Sequence, residues 1–221
     1  MSTALPTLTP ADKARGVQYE WADCTKCHLH KFRITPLRGN GPSSPQVVVV
    51  FDRLDLEDLG GGSFCDGPQK YVFEDLVAEL GLGIDQFWLT SITACATCHQ
   101  EQDPDEIPRE LAPAADDASI RACRPRLHKE IHALEPELVI ACGPKALKAL
   151  FVGQPPAHQS SLGAMVEMTV VGDRFAYPVP VLILHSMLKV ARTPETPDPN
   201  KIWSKTRKAL AEGIEALVEL L

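Results

Sequence analysis

The sequence predicts an α/β fold, a three-layer α/β/α sandwich in which a mostly parallel central sheet lies between two layers of helices. Short apolar runs, typical of strands buried on both faces, alternate along the chain with segments whose apolar residues repeat at helical spacing. Strands that alternate with helices favour parallel pairing through crossover connections. The chain has 221 residues, of which 44% are hydrophobic, so it can bury a substantial core.

The first half of the chain supplies two strands and the helix between them. Residues 47–51 are a continuous run of valines that ends in phenylalanine, which predicts a buried strand. Residues 71–80 place their apolar side chains on one helical stripe, and Gly81 ends that helix. Residues 87–92 predict a second buried strand.

The middle of the chain adds a long helix, a strand and a short helix. Apolar residues from 120 to 134 recur at helical spacing, with Asp117 or Ser119 available as the N-cap. Residues 138–142 predict a third buried strand. A helix follows over residues 144–151, since the proline at its start suits the first helical position.

The last third of the chain predicts two strands and a closing helix. Residues 165–171 alternate in polarity, as an edge strand does, and Gly172 and Asp173 form the turn after it. Residues 179–184 predict a further buried strand. Residues 202–221 form an amphipathic pattern, which indicates a helix.

Composition limits the class of protein. A formal net charge of −7 argues against nonspecific coating of nucleic acid but is compatible with a local basic face. No apolar run approaches membrane-spanning length, and residues 1–15 do not resemble a secretory signal. We therefore expect a cytoplasmic monomer with one domain over residues 1–221 and an exposed, acidic and Pro-rich insertion at about 99–118.

Polar or small residues follow four of the predicted strands directly or end them. These residues are an acid, a hydroxyl, a glycine and an imidazole: Asp52, Ser91, Gly143 and His185. Ligands of open parallel sheets bind beyond the carboxyl ends of the strands. The sequence therefore predicts a binding site at this edge of the sheet.

Seven cysteines point to a metal centre or a reactive thiol, because disulfides are rare in a reducing cytosol. Cys24 and Cys27 could form a redox dithiol, but such motifs usually follow a strand and this pair precedes the first one. With Cys95 and Cys98 they match a four-cysteine zinc site. An iron-sulfur cluster that uses Cys123 fits about equally well, because clusters tolerate widely separated ligands. Spacing alone leaves zinc and cluster open.

Several motifs together resemble the iron-sulfur uracil-DNA glycosylases of families 4 and 5. They are Cys24-x-x-Cys27-x-Leu29, Cys95 after the strand that contains Leu89-Thr90-Ser91-Ile92, and Cys123-x-Pro125-x-Leu127 ahead of Pro136-x-Leu138-Val139-Ile140. The resemblance runs from about Cys24 to Trp203. It implies a 4Fe-4S cluster held by Cys24, Cys27, Cys95 and Cys123, with a cluster-binding segment at about residues 20–35. Cys98 is then the spare cysteine, and zinc remains the alternative metal.

The resemblance extends to the pocket and to DNA. Gly62-Ser63-Phe64 is similar to the family segment whose phenylalanine stacks on the extruded base, so Phe64 is the implied platform. His185 and the residues after it resemble the family's histidine-containing loop, which touches base and duplex. Apolar loop residues can enter the vacated stack and basic ones can hold phosphates, which implies DNA contacts by Met187, Leu188, Lys189 and Arg192.

Two departures from the family pattern concern the base. The family's first motif is Gly-acid-Ala-Pro-Gly, whereas this chain has Phe51-Asp52-Arg53-Leu54-Asp55. The family's asparagine after the second strand is replaced by Ser91, whose hydroxyl cannot supply the same donor and acceptor pair. Uracil selectivity should weaken as a result. We therefore expect the substrate to be uracil or a modified, enlarged pyrimidine.

The implied reaction is hydrolysis of the N-glycosidic bond of a base extruded from single- or double-stranded DNA, which leaves an abasic site. Asp52 or Asp66 would stabilise the sugar cation or activate water, and His185 would donate to the departing base. A rival hypothesis is a noncatalytic nucleic-acid-binding protein that keeps the fold and its iron-sulfur or zinc centre.

Overall fold

The computed structural model describes residues 7–36, 39–52, 67–97, 115–171, 176–191 and 200–220, and every structural statement below concerns this part of the chain. The helices are α1 (Pro10–Glu20), α2 (Pro68–Ala78), α3 (Asp117–Leu134), α4 (Pro144–Leu150), α5 (Met187–Ala191) and α6 (Asn200–Leu220). The strands are β1 (Arg33–Pro36), β2 (Val47–Phe51), β3 (Phe87–Ser91), β4 (Cys95–Thr97), β5 (Leu138–Cys142), β6 (Met165–Val171) and β7 (Ala176–Leu184).

Five strands form the central sheet in the order β3-β2-β5-β7-β6. Strands β3, β2, β5 and β7 are parallel to one another. Strand β6 pairs with β7 as an antiparallel edge strand. Phe51 pairs with both Ser91 and Cys142, and Cys142 pairs with Leu184. The four parallel strands therefore end level with one another, and the residues that follow them meet at one edge.

The two faces of the sheet carry separate cores, as expected for strands whose successive side chains point to opposite sides. Val48 and Val50 pack with residues of α1, α3 and α4 on one face. Val49 and Phe51 pack with residues of α2, α5 and α6 on the other. The predicted three-layer sandwich is confirmed.

The strand and helix predictions are confirmed with shifted ends. α2 begins at Pro68 rather than at residue 71, because proline suits the first turn of a helix. β7 begins at Ala176 rather than at residue 179, because it pairs with β6 along the whole length of that strand. Gly81 has a φ of +77°, which agrees with its predicted place at the end of α2.

The predicted caps of α3 need a correction. The N-cap is Asp116, not Asp117 or Ser119, and its carboxylate accepts a hydrogen bond of 2.8 Å from the backbone N–H of Ser119. The Ser119 hydroxyl in turn accepts a hydrogen bond from the Asp116 N–H, which completes a capping box. The predicted turn at 172–173 and the insertion up to residue 114 lie outside the described residues.

Three features were not among the predicted elements. α1 begins at Pro10, and Thr9 and Asp12 form a capping box around its first turn. β1 and β4 form a separate two-stranded antiparallel sheet in which Pro36 pairs with Cys95. Residues after His185 form α5 rather than a loop. No helix in the described ranges has the length and apolar character needed to cross a membrane.

Candidate functional site

Asp52 occupies the carboxyl edge of the sheet, as predicted. It follows β2 directly, is only 9% exposed, and accepts a hydrogen bond of 3.0 Å from the Ser186 hydroxyl to its Oδ1. Ser186 comes two residues after the end of β7, so this bond joins two strand ends that are 134 residues apart in the chain. The carboxylate is therefore held in one orientation at the centre of the edge.

Gly143, which caps α4, must be glycine for two reasons. Its φ of +106° lies in a region that L side chains rarely adopt. A Cβ at this position would also collide with the Asp52 carboxylate. The end of β5 thus leaves room for Asp52, and the buried Cys142 thiol beside it has a pKa raised well above its ordinary value, by burial and then by the Asp52 charge.

His185 lies at the same edge, directly after β7, and is half-buried. Its pKa is lowered from its ordinary value, first by burial and then by the charges of Lys189, His158 and Lys205. The rings of His185 and His158 are 6.3 Å apart between centroids. A lowered pKa keeps the His185 imidazole neutral near pH 7, with one N–H available as a donor.

A cavity of about 400 Å³ opens beside His185. It lies between α6, the turn that precedes β6 and the end of β7, and we call it the α6 cavity. The residues that line it include Gln159, Gly163, His185, Lys205, Lys208 and Glu212. It therefore places cationic side chains next to a predicted site residue.

Ser91 is fully buried at the end of β3, and its hydroxyl donates a hydrogen bond of 2.6 Å to the Thr93 carbonyl. Its own backbone carbonyl accepts a hydrogen bond from the Arg126 guanidinium. The predicted base contact of Ser91 thus belongs to a side chain whose one O–H already has a partner in the loop after β3.

Beneath Ser91 lies a buried ion pair between α3 residues Arg126 and Glu130. Arg126 Nη1 donates to Glu130 Oε2 over 2.6 Å, and the two side chains are 1% and 0% exposed. Glu130 also accepts hydrogen bonds from three other side chains: Trp88 Nε1 at 2.9 Å, Gln18 Nε2 at 2.9 Å and Thr90 Oγ1 at 3.2 Å. The network therefore connects α1, α3 and β3 directly behind the predicted base-binding position.

The predicted DNA contacts are only partly described. Met187 is fully buried among core residues of the α2 side, so it is not exposed to enter a base stack. Lys189 is exposed on α5. The Leu188 side chain and all of Phe64, Asp66 and Arg192 lie outside the described residues.

All four cysteines that the resemblance implies as ligands line one small cavity. Cys24 follows α1, and Cys27 is the N-cap of a short 3-10 helix over residues His28–Lys31. Cys95 opens β4, and Cys123 lies on α3. The cavity also has the apolar side chains of Trp21 and Leu29 in its wall. The fold thus gathers these thiols from three separate segments: the one after α1, β4 and α3.

Burial and hydrogen-bond donors act in opposite directions on the thiols of this cysteine site. Burial raises the pKa of Cys95 to about 11 and also raises the pKa of Cys27, and neighbouring thiolates add to both shifts. Donors point at the sulfurs in return. The Ala94 N–H donates to Cys123 Sγ over 3.4 Å, and the Arg126 guanidinium lies within hydrogen-bonding reach of the same sulfur. The Arg33 guanidinium offsets part of the rise in the Cys95 pKa. Four thiols with such donors fit the chemistry of an iron-sulfur cluster.

Among the described residues, no three His, Cys, Asp or Glu side chains are arranged to hold a single metal ion. Cys98, the fourth cysteine of the zinc alternative, lies outside them.

Sequence reasoning missed four residues that the structure brings to these sites. Ser186 was treated only as part of a loop, although a hydroxyl two residues after a strand on the same edge as Asp52 was a usable signal. Lys205 lies one residue before the buried Thr206 of α6, but sequence spacing could not show that it faces His185. Arg126 and Glu130 have the i, i+4 spacing of an ion pair, which usually indicates an exposed helix face.

One family profile and three known proteins are similar in sequence to this chain. The profile of the family described as the Uracil DNA glycosylase superfamily matches residues 39–217 of the chain. Three curated relatives are each named Type-4 uracil-DNA glycosylase.

The relative from Sulfurisphaera tokodaii is 26% identical over 141 residues, which cover 63% of this chain and 59% of the relative. The relative from Saccharolobus solfataricus is 26% identical over 129 residues, 58% of this chain and 54% of the relative. The relative from Pyrobaculum aerophilum is 27% identical over 129 residues, 58% of this chain and 59% of the relative. The chain thus spans less than two thirds of the length of each relative.

Proposed function

The chain belongs to the uracil DNA glycosylase superfamily, and from that membership we propose that it is a monofunctional DNA glycosylase. The proposed reaction hydrolyses the N-glycosidic bond of an extruded base and leaves an abasic site. The named relatives, all Type-4 uracil-DNA glycosylases, support uracil as a substrate class.

The observation that carries the proposal is the hydrogen bond between Asp52 and Ser186, the residue that follows His185. The Ser186 hydroxyl donates to Asp52 over 3.0 Å, so the carboxylate and the imidazole belong to strand ends tied together at one edge. This edge of an open parallel sheet is where ligands bind. A carboxylate of low exposure can stabilise positive charge on the sugar, and a neutral imidazole can donate to the departing base.

Asp52 would act on the sugar and on water. As the bond to the base breaks, its electron pair leaves with the base and positive charge develops on the sugar. The Asp52 carboxylate stabilises that charge and accepts a proton from a water molecule, whose oxygen bonds to the sugar carbon. The Ser186 hydrogen bond orients the carboxylate for this role.

His185 would act on the departing base. Its neutral imidazole donates a hydrogen bond to the base oxygen on which negative charge develops, which stabilises the transition state without a covalent intermediate. The proton that water loses then neutralises the base anion, so the products are free base and abasic DNA. Lys189, exposed on the helix after His185, is a candidate phosphate contact.

We assign a 4Fe-4S cluster to Cys24, Cys27, Cys95 and Cys123. The support is the single cavity that all four line, together with the Ala94 N–H that donates to the Cys123 sulfur. The role of the cluster is structural: it ties the segment after α1 to the loop after β3. No step of the reaction depends on it.

The base itself is proposed to be uracil or a modified, enlarged pyrimidine. The Ser91 hydroxyl is buried and already donates to Thr93, so it does not supply the paired donor and acceptor of an amide. A site with fewer obligatory hydrogen bonds rejects fewer bases.

The test is incubation of the purified protein with duplexes that each carry one uracil or one modified pyrimidine, followed by alkali and a denaturing gel. We expect strand breakage on at least one duplex and a loss of about 100- to 1000-fold in rate for His185→Ala. Asp52→Asn should lose activity as well, whereas the exposed Asp85→Asn should not. Mass spectrometry of the released base then identifies the substrate. Tight DNA binding with no base released from any duplex would instead favour the noncatalytic hypothesis.

A further inference from the structure

Three basic residues near the middle of α6 differ in their ion pairs: two of them pair with a carboxylate and one does not. Arg207 pairs with Glu79, the C-cap of α2, over 2.5 Å, and Lys208 pairs with Glu212 over 3.6 Å. Lys205 has no ion-pair partner within the part of the chain that the structure describes. It is exposed, and its charge reaches His185, whose pKa it helps to lower.

Lys205 lines the α6 cavity, whose charged side chains are two lysines and one glutamate. Since Lys208 and Glu212 offset each other, the cavity keeps about one uncompensated positive charge from Lys205. A local positive site on an acidic protein selects for an anionic ligand group at that position.

The position of the cavity narrows the ligand. His185 forms part of its wall and directly follows β7 at the edge where Asp52 lies. A strand of DNA whose nucleotide has been extruded toward Asp52 and His185 must carry its next phosphodiester away from that edge. The cavity volume of about 400 Å³ is large enough for a phosphodiester and part of its sugar.

We propose that the α6 cavity binds a phosphodiester group of the DNA strand beside the extruded nucleotide, and that Lys205 is the cation that holds it. The inference rests on the proposed function only in taking DNA as the ligand. Lys205 pairs with the phosphate as a point charge, and Gln159 borders the same space with a side chain that can donate hydrogen bonds.

The experiment measures DNA binding rather than cleavage. The probe is a fluorescein-labelled duplex with one tetrahydrofuran abasic-site analogue, and its dissociation constant is measured by anisotropy from 50 to 200 mM KCl. The variants are Lys205→Gln, Lys205→Arg and, as a matched control, Lys13→Gln, which removes an exposed lysine of α1.

For Lys205→Gln we expect the slope of log affinity against log salt to decrease by about 0.9, the value for one lost phosphate contact. Lys205→Arg should keep the wild-type slope, and so should Lys13→Gln. An unchanged slope for Lys205→Gln, an equal loss in the Lys13→Gln control, or no binding of this duplex by the wild-type protein would each overturn the proposal.

Failure of this proposal and failure of the proposed function are distinguishable. If no duplex loses a base while Lys205→Gln still lowers the salt slope, the cavity binds DNA and the glycosylase hypothesis fails. If the wild-type protein releases a base while Lys205→Gln binds DNA as the Lys13→Gln control does, the glycosylase hypothesis stands and the cavity assignment fails.

Discussion

Replacing the buried carboxylate of Glu130 by an amide should destabilise the fold more than any surface charge change. Glu130 is 0% exposed and accepts from four donors, two at each carboxylate oxygen. In Glu130→Gln the new NH₂ group must face donors whichever way the amide is turned. The Arg126 guanidinium, 1% exposed, also loses its counter-charge.

The magnitude follows from this burial. Removing one partner of a buried ion pair costs about 3–5 kcal/mol, because the remaining charge is left uncompensated. That is a large part of the roughly 5–15 kcal/mol that separates folded from unfolded domains. With a urea m-value near the upper end of about 1–3 kcal/mol/M, the midpoint should fall by about 1–2 M.

The assay is urea unfolding followed by tryptophan fluorescence, since Trp88 donates to Glu130 and reports on the network. Glu20→Gln is the matched control, because Glu20 is 61% exposed in its pair with Lys129 and such pairs contribute less than about 1 kcal/mol. Adding Arg126→Met to Glu130→Gln should recover part of the loss by removing the stranded charge. A loss below about 1 kcal/mol for Glu130→Gln would contradict the reasoning.

Three further changes test other parts of the structure. Gly143→Ala should lower activity and cost about 1–3 kcal/mol of unfolding free energy, because of its positive φ and the collision with Asp52; wild-type activity would refute this. Burial, and then the charge of Arg124, lowers the pKa of His128 in the folded protein. The folding free energy gained by keeping this imidazole neutral should therefore be fully present above about pH 6.5 and be lost as the pH falls below it. In His128→Asn the urea midpoint should change less between pH 7.5 and 5.5 than in the wild type. Cys123→Ala should lose iron and sulfide in elemental analysis, whereas the control Cys142→Ala should keep both.

The sheet and its edge were predictable because their patterns are local. The valine run at residues 47–51 and the apolar run at 138–142 are too short and too β-branched for helices, and parallel pairing then brings Asp52, Gly143 and His185 to one edge. This part of the site follows from strand type and order alone. No side-chain geometry is needed to derive it.

The parts that sequence reasoning missed depend on contacts between distant segments. β1 and β4 are only four and three residues long, and neither has an alternating pattern that would predict a strand. α5 is only five residues long, so its sequence is too short to show a helical repeat of apolar residues or to predict that Met187 is buried. The direction in which Lys205 points depends on how α6 packs against β7. Tertiary packing decides each of these features.

Arg126 connects the two functional regions of the fold. Its guanidinium donates to the Ser91 carbonyl at the end of β3 and to Glu130, and it also lies within hydrogen-bonding reach of the Cys123 sulfur. Burial lowers the Arg126 pKa, but Cys123 and Glu130 together outweigh that effect and raise it. A buried guanidinium bonded to Glu130, to the Ser91 carbonyl and to the Cys123 sulfur has little freedom to move. The cysteine site therefore helps to fix the strand end that borders the proposed base pocket, even though no cysteine needs to touch DNA.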